Sequence, residues 1–539
     1  MSWKVVHLSN REMINRKIKM LHKKLSRAPI KEVPNLIWML WTMNSERSSL
    51  VRNHLKFSDE FFNPELGSPH RIYPWRLETL FSEYFISNKR ITHRGSHKVL
   101  NIYHPNVTTS AINAISDIEG MQDKIIIEKP TPGIDWMKRL ISQQIEWQTS
   151  LSDNYLRGCV FWLYLYDFEE MNDAYRDVSG VSYQDLLLSA IGMLSLFDRY
   201  AAIPSDISVE NIPVKKEAFD RVLKFLSKDI EEFQKYQDTI FRRHKRRTRE
   251  FYGTPAINHI GYRPSALRKY PLVKVGESYF APLPPILSLR VLNGVYFDLI
   301  GNDKIKTKIA ARFESYVLDM LTLVNNDFSF SAECFYLGKK NQASPDIIGT
   351  RNDKVLIVAE CKAARMDNVI RFSEKPAELA KRGVGEISKR IFQIWRFIAD
   401  IRKDKVEDYK KVDNQAIGLI VMIDDWTSSY PSFIQKVFDN AKKLTLDHNA
   451  KHFDRKIENE DMIGIRFADI SSLEVVCRRL ENQNFIDFLH FSISDRYQEY
   501  ILDNVISDFG KTQTLKKTMR AHPMKNFFSD YLSRLNIHR

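Results

Sequence analysis

Asp346, Glu360 and Lys362 lie in SPDIIGTRNDKVLIVAECKAAR, residues 344–365, whose strand positions are otherwise apolar. Charge inside a core is costly unless it is paired or binds a metal, so these three side chains point to chemistry. TRND between two β-like runs makes a hairpin, and with its centre at Asp353 both Asp346 and Glu360 stand seven residues away, directly opposite one another. Alternation along the strand places Glu360 and Lys362 on one face with Leu356 and Val358, and Cys361 on the other with Val355, Ile357 and Ala359. A strand apolar on both faces is central in its sheet. Two facing carboxylates repel, and in a partly buried site one stays protonated unless a cation keeps both ionised. Oxygen donors with open positions suit Mg²⁺ (or Mn²⁺), which retains waters and shares a phosphate with its substrate. Lys362, roughly 6–7 Å along the strand from Glu360, reaches a phosphate oxygen or the attacking water. Together these groups can hydrolyse a phosphodiester: a metal polarises the phosphate and acidifies water, and an ammonium meets the developing charge. The structural alternative is an ion pair of Lys362 with Asp346 or Glu360 closing an ordinary sheet.

The elements around the hairpin must position these groups. KIKTKIAARFESYVLDMLTLV reads as a helix with Ile309, Phe313, Tyr316, Val317, Met320 and Leu321 on one face and Glu314 beside it. A strand at DFSFSAECFYL follows, then the hairpin, a helix from about Gly385 to Ile401, a strand at AIGLIVMID, a helix from about Pro431 to Leu444 and a short one around Glu474 to Leu480. This order implies a mixed sheet flanked by helices, of the α+β or α/β class.

Pro345-Asp346, thirteen intervening residues and Glu360-Cys361-Lys362 resemble the signature of the PD-(D/E)XK, or restriction-endonuclease-like, nuclease superfamily. The element order from about Lys304 to Asp424 is similar to that family's core. The resemblance implies that Asp346, Glu360 and the backbone carbonyl of Cys361 bind metal, and that Lys362 is the catalytic lysine. It implies a further metal ligand in Glu314 and a site residue in Gln393, on the helix EISKRIFQIWRF. Members carrying that glutamine have a tyrosine four residues on, where this chain has Phe397. The expected activity is Mg-dependent phosphodiester hydrolysis, in double-stranded DNA, as a restriction or anti-phage defence effector. The alternative is a catalytically inactive nuclease fold that docks on nucleic acid or a partner protein.

The 539 residues suggest several domains. We expect a mainly helical N-terminal region at 1–255, a β-rich connector at 256–300, the nuclease domain at 301–480 and a basic helical tail at 481–539. Helical spacing marks Asn35 to Met43, Leu77 to Ile86, Ile134 to Trp147 and Ala218 to Tyr236. LVKV, SYFAPL and VYFDLI are the β-like runs of the connector. A net charge of +14 favours a polyanionic partner, and FRRHKRRTRE together with Lys381, Arg382, Lys389 and Arg390 can contact phosphates. His93, His97 and His104 lack metal-ligand spacing. The four cysteines form no CxxC pair, which points to a reducing, cytoplasmic setting. No signal-peptide core is present, and LLLSAIGMLSLF is too short to span a bilayer, so it reads as a buried helix and no membrane is expected. Without a P-loop, any ATPase or recognition function falls to a partner protein or to the N-terminal region. Restriction-type cutting of both strands favours a homodimer or larger complex.

Overall fold

The computed structural model describes residues 10–87, 100–127, 147, 161–210, 212–252, 259–299, 301–324, 327–338, 342–365, 380–424, 431–480, 482–498 and 500–512. The expected helix from Ile134, together with His93, His97, Cys159 and the chain beyond 512, lies outside them, apart from Trp147. The described residues divide into two units, those up to Gly301 forming one and those from Asn302 the other. Its class is mixed α/β, with a four-stranded and a five-stranded sheet.

The first unit is mainly helical, with helices at Asn10–Leu25, Val33–Met43, Pro74–Ser87, Pro105–Ile127, Tyr183–Phe197, Lys216–Leu226 and Ile230–Tyr252. The run LLLSAIGMLSLF forms the helix Tyr183–Phe197 and buries Leu186, Leu187, Ala190, Met193 and Phe197. Among the described residues no single helix is long and apolar enough to cross a membrane. The stretch expected as one helix from Ala218 to Tyr236 is interrupted. Ser227–Asp229 leaves the helical path to pair in parallel with Leu272–Val275, which in turn pairs with Ser278–Phe280, and that strand pairs with Ala202–Pro204.

That pairing corrects the expected connector at 256–300, which belongs to the first unit. Leu267, Val273, Leu283 and Ile286 share a core with Leu77, Phe81 and Phe233. Buried ion pairs fasten the same segment. Glu83, fully buried, meets Arg263 Nη1 at 2.6 and 2.7 Å and His22 Nε2 at 2.6 Å, and Glu78 accepts from Arg268 at 2.6 and 2.7 Å. Nor is the segment β-rich throughout, because VYFDLI continues a helical stretch and Val295–Asp298 is α-helix.

The basic run lies on the helix Ile230–Tyr252, where Arg242 and Arg243 are exposed. His244 is half-buried there: burial first and the Arg263 guanidinium second lower its pKa from 6.5 to about 4. Folding therefore holds this ring neutral, and the unfolded chain takes the proton first as pH falls. The stability it contributes is complete above pH ~6.5 and is lost as pH falls toward ~4. We expect His244→Gln to give a shallower decline of the urea midpoint across that window, and an unchanged slope would contradict this.

Element labels below refer to the second unit. Its sheet contains β1 (Ser329–Ala332), β2 (Ile347–Arg351), β3 (Lys354–Lys362), β4 (Val412–Met422) and β5 (Ile465–Asp469), in spatial order β5-β4-β3-β2-β1. The pairs β1–β2 and β2–β3 are antiparallel, whereas β3–β4 and β4–β5 are parallel. The helices are α1 (Asp303–Val324), α2 (Lys381–Arg402), α3 (Pro431–Asn449), α4 (Ile470–Arg479), α5 (Asn482–Ser492) and α6 (Ile506–Thr512). One face of the sheet packs Val358, Ile420, Ile465 and Phe467 against Ile387, Ile391 and Ile394 of α2 and Phe433 and Val437 of α3. On the other face lies α1, tied to α4 by a 2.6 Å hydrogen bond from Tyr316 Oη to Glu474 Oε1. A Cβ at Gly418 would overlap Ile465, so glycine there permits the close approach of β4 and β5.

The expected strand over residues 327–337 breaks after Ala332: Cys334 donates its N–H to Ser344 Oγ at 2.9 Å, and Phe335–Tyr336 pairs instead with Gln342–Ala343. The residues after 481 are not a separate tail as far as Thr512. Phe485, Ile486, Leu489, Val505 and Phe509 are buried, and Arg466 of β5 donates to the carbonyls of Tyr497, Gln498 and Tyr500.

Candidate active site

The hairpin turns on Asn352 and Asp353, both with positive φ (52° and 59°), as a two-residue β-turn of the type that matches strand twist. The turn is centred half a residue before Asp353, and a bulge in β3 compensates: Thr350 pairs with Val355 but Gly349 with Ile357, leaving Leu356 as the extra residue. Ile347 therefore pairs with Ala359, and Asp346 comes next to Glu360 at the end of the ladder as expected. The bulge also changes the face of the residue before it. Val355 joins Val358 against α2, where strict alternation puts it on the opposite face.

Asp346 is 9% exposed and Glu360 0%. Asp346 Oδ2 accepts the Cys361 backbone N–H at 2.7 Å, which fixes its carboxyl against β3. Among the described residues no donor places a hydrogen bond on either oxygen of Glu360, and its protonated form can itself donate to Asp346. Arg390 Nη1, from α2, stands 3.1 Å from Glu360 Oε2 as an ion pair outside hydrogen-bonding geometry. Burial, and next the Asp346 charge, push Glu360 well above the usual carboxylate range, with Arg390 opposing. Burial also raises Asp346, against the Cys361 N–H and Arg390. The thiol of Cys361 is buried and pushed well up, so it stays protonated.

Lys362 shares the Glu360 face, and its Nζ lies 3.8 Å from Glu386 Oε2 on α2. The structural alternative, an ion pair with Asp346 or Glu360, is not what the lysine makes. Burial first and Arg390 second lower its pKa, against Glu386, Glu360 and Asp346. Glu314 of α1 is half-buried and pushed up to about 7 by burial, by Asp346 and by Glu333, with Arg390 opposing.

Gln393 is a bracing residue: its Nε2 donates to Ser344 O at 2.8 Å, on the chain leading into Asp346, and its Oε1 accepts from Arg390 Nη1 at 3.1 Å. Phe397, one turn on, is buried edge-on to Tyr336 and Tyr409 in the core. Arg390, expected to contact a nucleic-acid backbone, is instead drawn in against the carboxylates. Its place was legible in the helical spacing of Glu386, Arg390, Gln393 and Phe397, which share one face of α2. Lys381, Arg382 and Lys389 are exposed, and Lys389 pairs with Glu386 at 3.0 Å.

Among the described residues no three His, Cys, Asp or Glu side chains converge as a ready metal-binding group. Asp346 and Glu360 come together, whereas Glu314 does not close the set. The two carboxyls are the kind of hard oxygen ligand that Mg²⁺ takes, but the cation standing against them in this structure is Arg390, 3.1 Å from Glu360. No protein-family model matches the chain, and no curated protein or solved structure does either.

Proposed function

We propose that the second unit is a metal-dependent nuclease domain of the PD-(D/E)XK kind, hydrolysing phosphodiester bonds in DNA. The observation that carries this reading is the pairing of two acids inside the sheet, Glu360 with no exposed surface beside Asp346, on the same face as Lys362 and with Arg390 3.1 Å away. A buried acid left in this state is costly in an ordinary sheet. Asp346, Glu360 and the carbonyl of Cys361 would hold Mg²⁺ or Mn²⁺, with Glu314 joining from α1. A bound metal supplies Lewis acidity toward the phosphate and lowers the pKa of water.

The chain's own groups do the rest. The Cys361 N–H holds Asp346 in place, Gln393 braces Ser344 on the chain leading into Asp346, and Glu360, paired with Ile420 of β4 and facing Arg390 of α2, has no exposed surface. Lys362 is partly desolvated, which strengthens its interaction with charge developing on the phosphate. The role we assign is that of an effector in restriction or anti-phage defence, on resemblance in architecture, with double-stranded DNA as substrate and a homodimer or larger complex as the working form.

Binding linkage provides the test. Mg²⁺ or Mn²⁺ at a hundredfold excess over Kd stabilises the folded state by roughly 2.7 kcal/mol, visible as a rise in melting midpoint. Metal binds the ionised carboxylates, and Glu314 ionises near 7. The rise should therefore be larger at pH ~8 than at pH ~6. Glu314→Gln should reduce that dependence and leave the part owed to Asp346 and Glu360, whose pKa values burial also raises. Absence of any metal-induced shift would refute the metal site.

A further inference from the structure

Arg390 occupies the position that a site cation would neutralise. Its Nη1 is 3.1 Å from Glu360 Oε2, and its guanidinium charge also bears on Asp346, Glu386 and Glu314. Glu360 has no exposed side-chain surface, whereas a third of Arg390 is exposed, so the guanidinium reaches the carboxylate from the open side. The contact is an ion pair without hydrogen-bond geometry, since among the described residues no donor places a hydrogen bond on either Glu360 oxygen. The same Nη1 does donate to Gln393 Oε1 at 3.1 Å, and Gln393 is itself anchored on Ser344 O. Arg390 thus sits between a hydrogen-bonded brace on its own helix and an ion pair without hydrogen bonds. A divalent ion between Asp346 and Glu360 would be repelled by a guanidinium at this distance and by Lys362, whose ammonium lies near Arg390.

We propose that Arg390 is the resting counterion of the Asp346–Glu360 pair, displaced from Glu360 when a divalent metal binds and then free to meet the phosphodiester of the substrate. This rests on the reading of the pair as a metal site. It makes Arg390 a positioning residue that couples metal to substrate: an anion accepting the released guanidinium tightens metal binding, and metal tightens anion binding by the same factor.

Mn²⁺ titration of the metal-stripped full chain, followed by the paramagnetic signal of free Mn²⁺, tests this without any turnover. Wild type, Arg390→Gln, Arg390→Lys and Asp346→Asn would be compared. Arg390→Gln is expected to bind Mn²⁺ more tightly, on the order of tenfold, while Arg390→Lys, which keeps the charge, stays near wild type. A merely structural arginine gives the opposite, weaker metal binding as the site loosens. Mn²⁺ binding in Arg390→Gln no tighter than in wild type, with binding lost in Asp346→Asn, would overturn the exchange and leave the metal site standing. Wild-type affinity in Asp346→Asn, or no binding in any form, would overturn the metal reading and the exchange with it.

Discussion

Asp346→Asn is expected to lower the proposed metal-dependent phosphodiester cleavage by about 10³-fold or more, while its melting midpoint in the absence of metal should stay at or above that of wild type. The two effects separate because Asp346 has two roles. Its Oδ2 accepts the Cys361 N–H at 2.7 Å, and an amide oxygen can do the same. The carboxylate charge is what a metal needs, and in the metal-free protein that charge opposes Glu360 and is disfavoured by burial. Removing it relieves repulsion while removing a ligand. Asp346→Ala is the less clean change, since it strands the Cys361 N–H at a cost of about 1–3 kcal/mol. Cleavage kinetics alongside thermal melts decide the matter, and substantial metal-dependent activity in Asp346→Asn would remove Asp346 from the mechanism.

Arg466→Met should destabilise the second unit by about 3 kcal/mol, lowering the urea midpoint and exposing residues 493–505 to proteolysis. Arg466 is 1% exposed in the edge strand β5 and donates to Tyr497 O and Gln498 O, each at 3.0 Å, and to Tyr500 O at 2.6 Å. Methionine replaces much of the stem but none of the donors, leaving three carbonyls to find water or open the loop. The segment they hold leads to Leu502, Val505 and Phe509, which are buried. A variant as stable and protease-resistant as wild type would show that the chain after Ser492 is independent of the sheet.

The hairpin and its charges were legible because two local signals agree: TRND breaks the apolar run, and period-two alternation puts Glu360 and Lys362 together. Its finer register was not. The bulge at Leu356 depends on fitting a two-residue turn to strands already paired, and β-propensity does not mark it. β5 escaped notice because IRFAD is short and has an arginine at its second position, whose donors serve a loop more than thirty residues downstream. The boundary expected at 255 failed for a similar reason. GTPAINHIGYRPSALRKYP is rich in turn formers, but its Arg263 and Arg268 reach back to Glu83 and Glu78, contacts of about 180 to 190 residues' separation that no window contains. Arg390 belongs between these cases, since its helical face was readable and its carboxylate partner was not.

The most direct test of the nuclease reading is cleavage of supercoiled and linear plasmid, with single-stranded DNA and RNA alongside, by wild type and Lys362→Ala in Mg²⁺, Mn²⁺ and EDTA. The account predicts cutting of double-stranded DNA by wild type in either metal, none in EDTA and none by Lys362→Ala, which should remain folded because Lys362 is only partly buried and its Glu386 contact is long, at 3.8 Å. Undiminished cutting by Lys362→Ala, or activity that persists in EDTA, would contradict it.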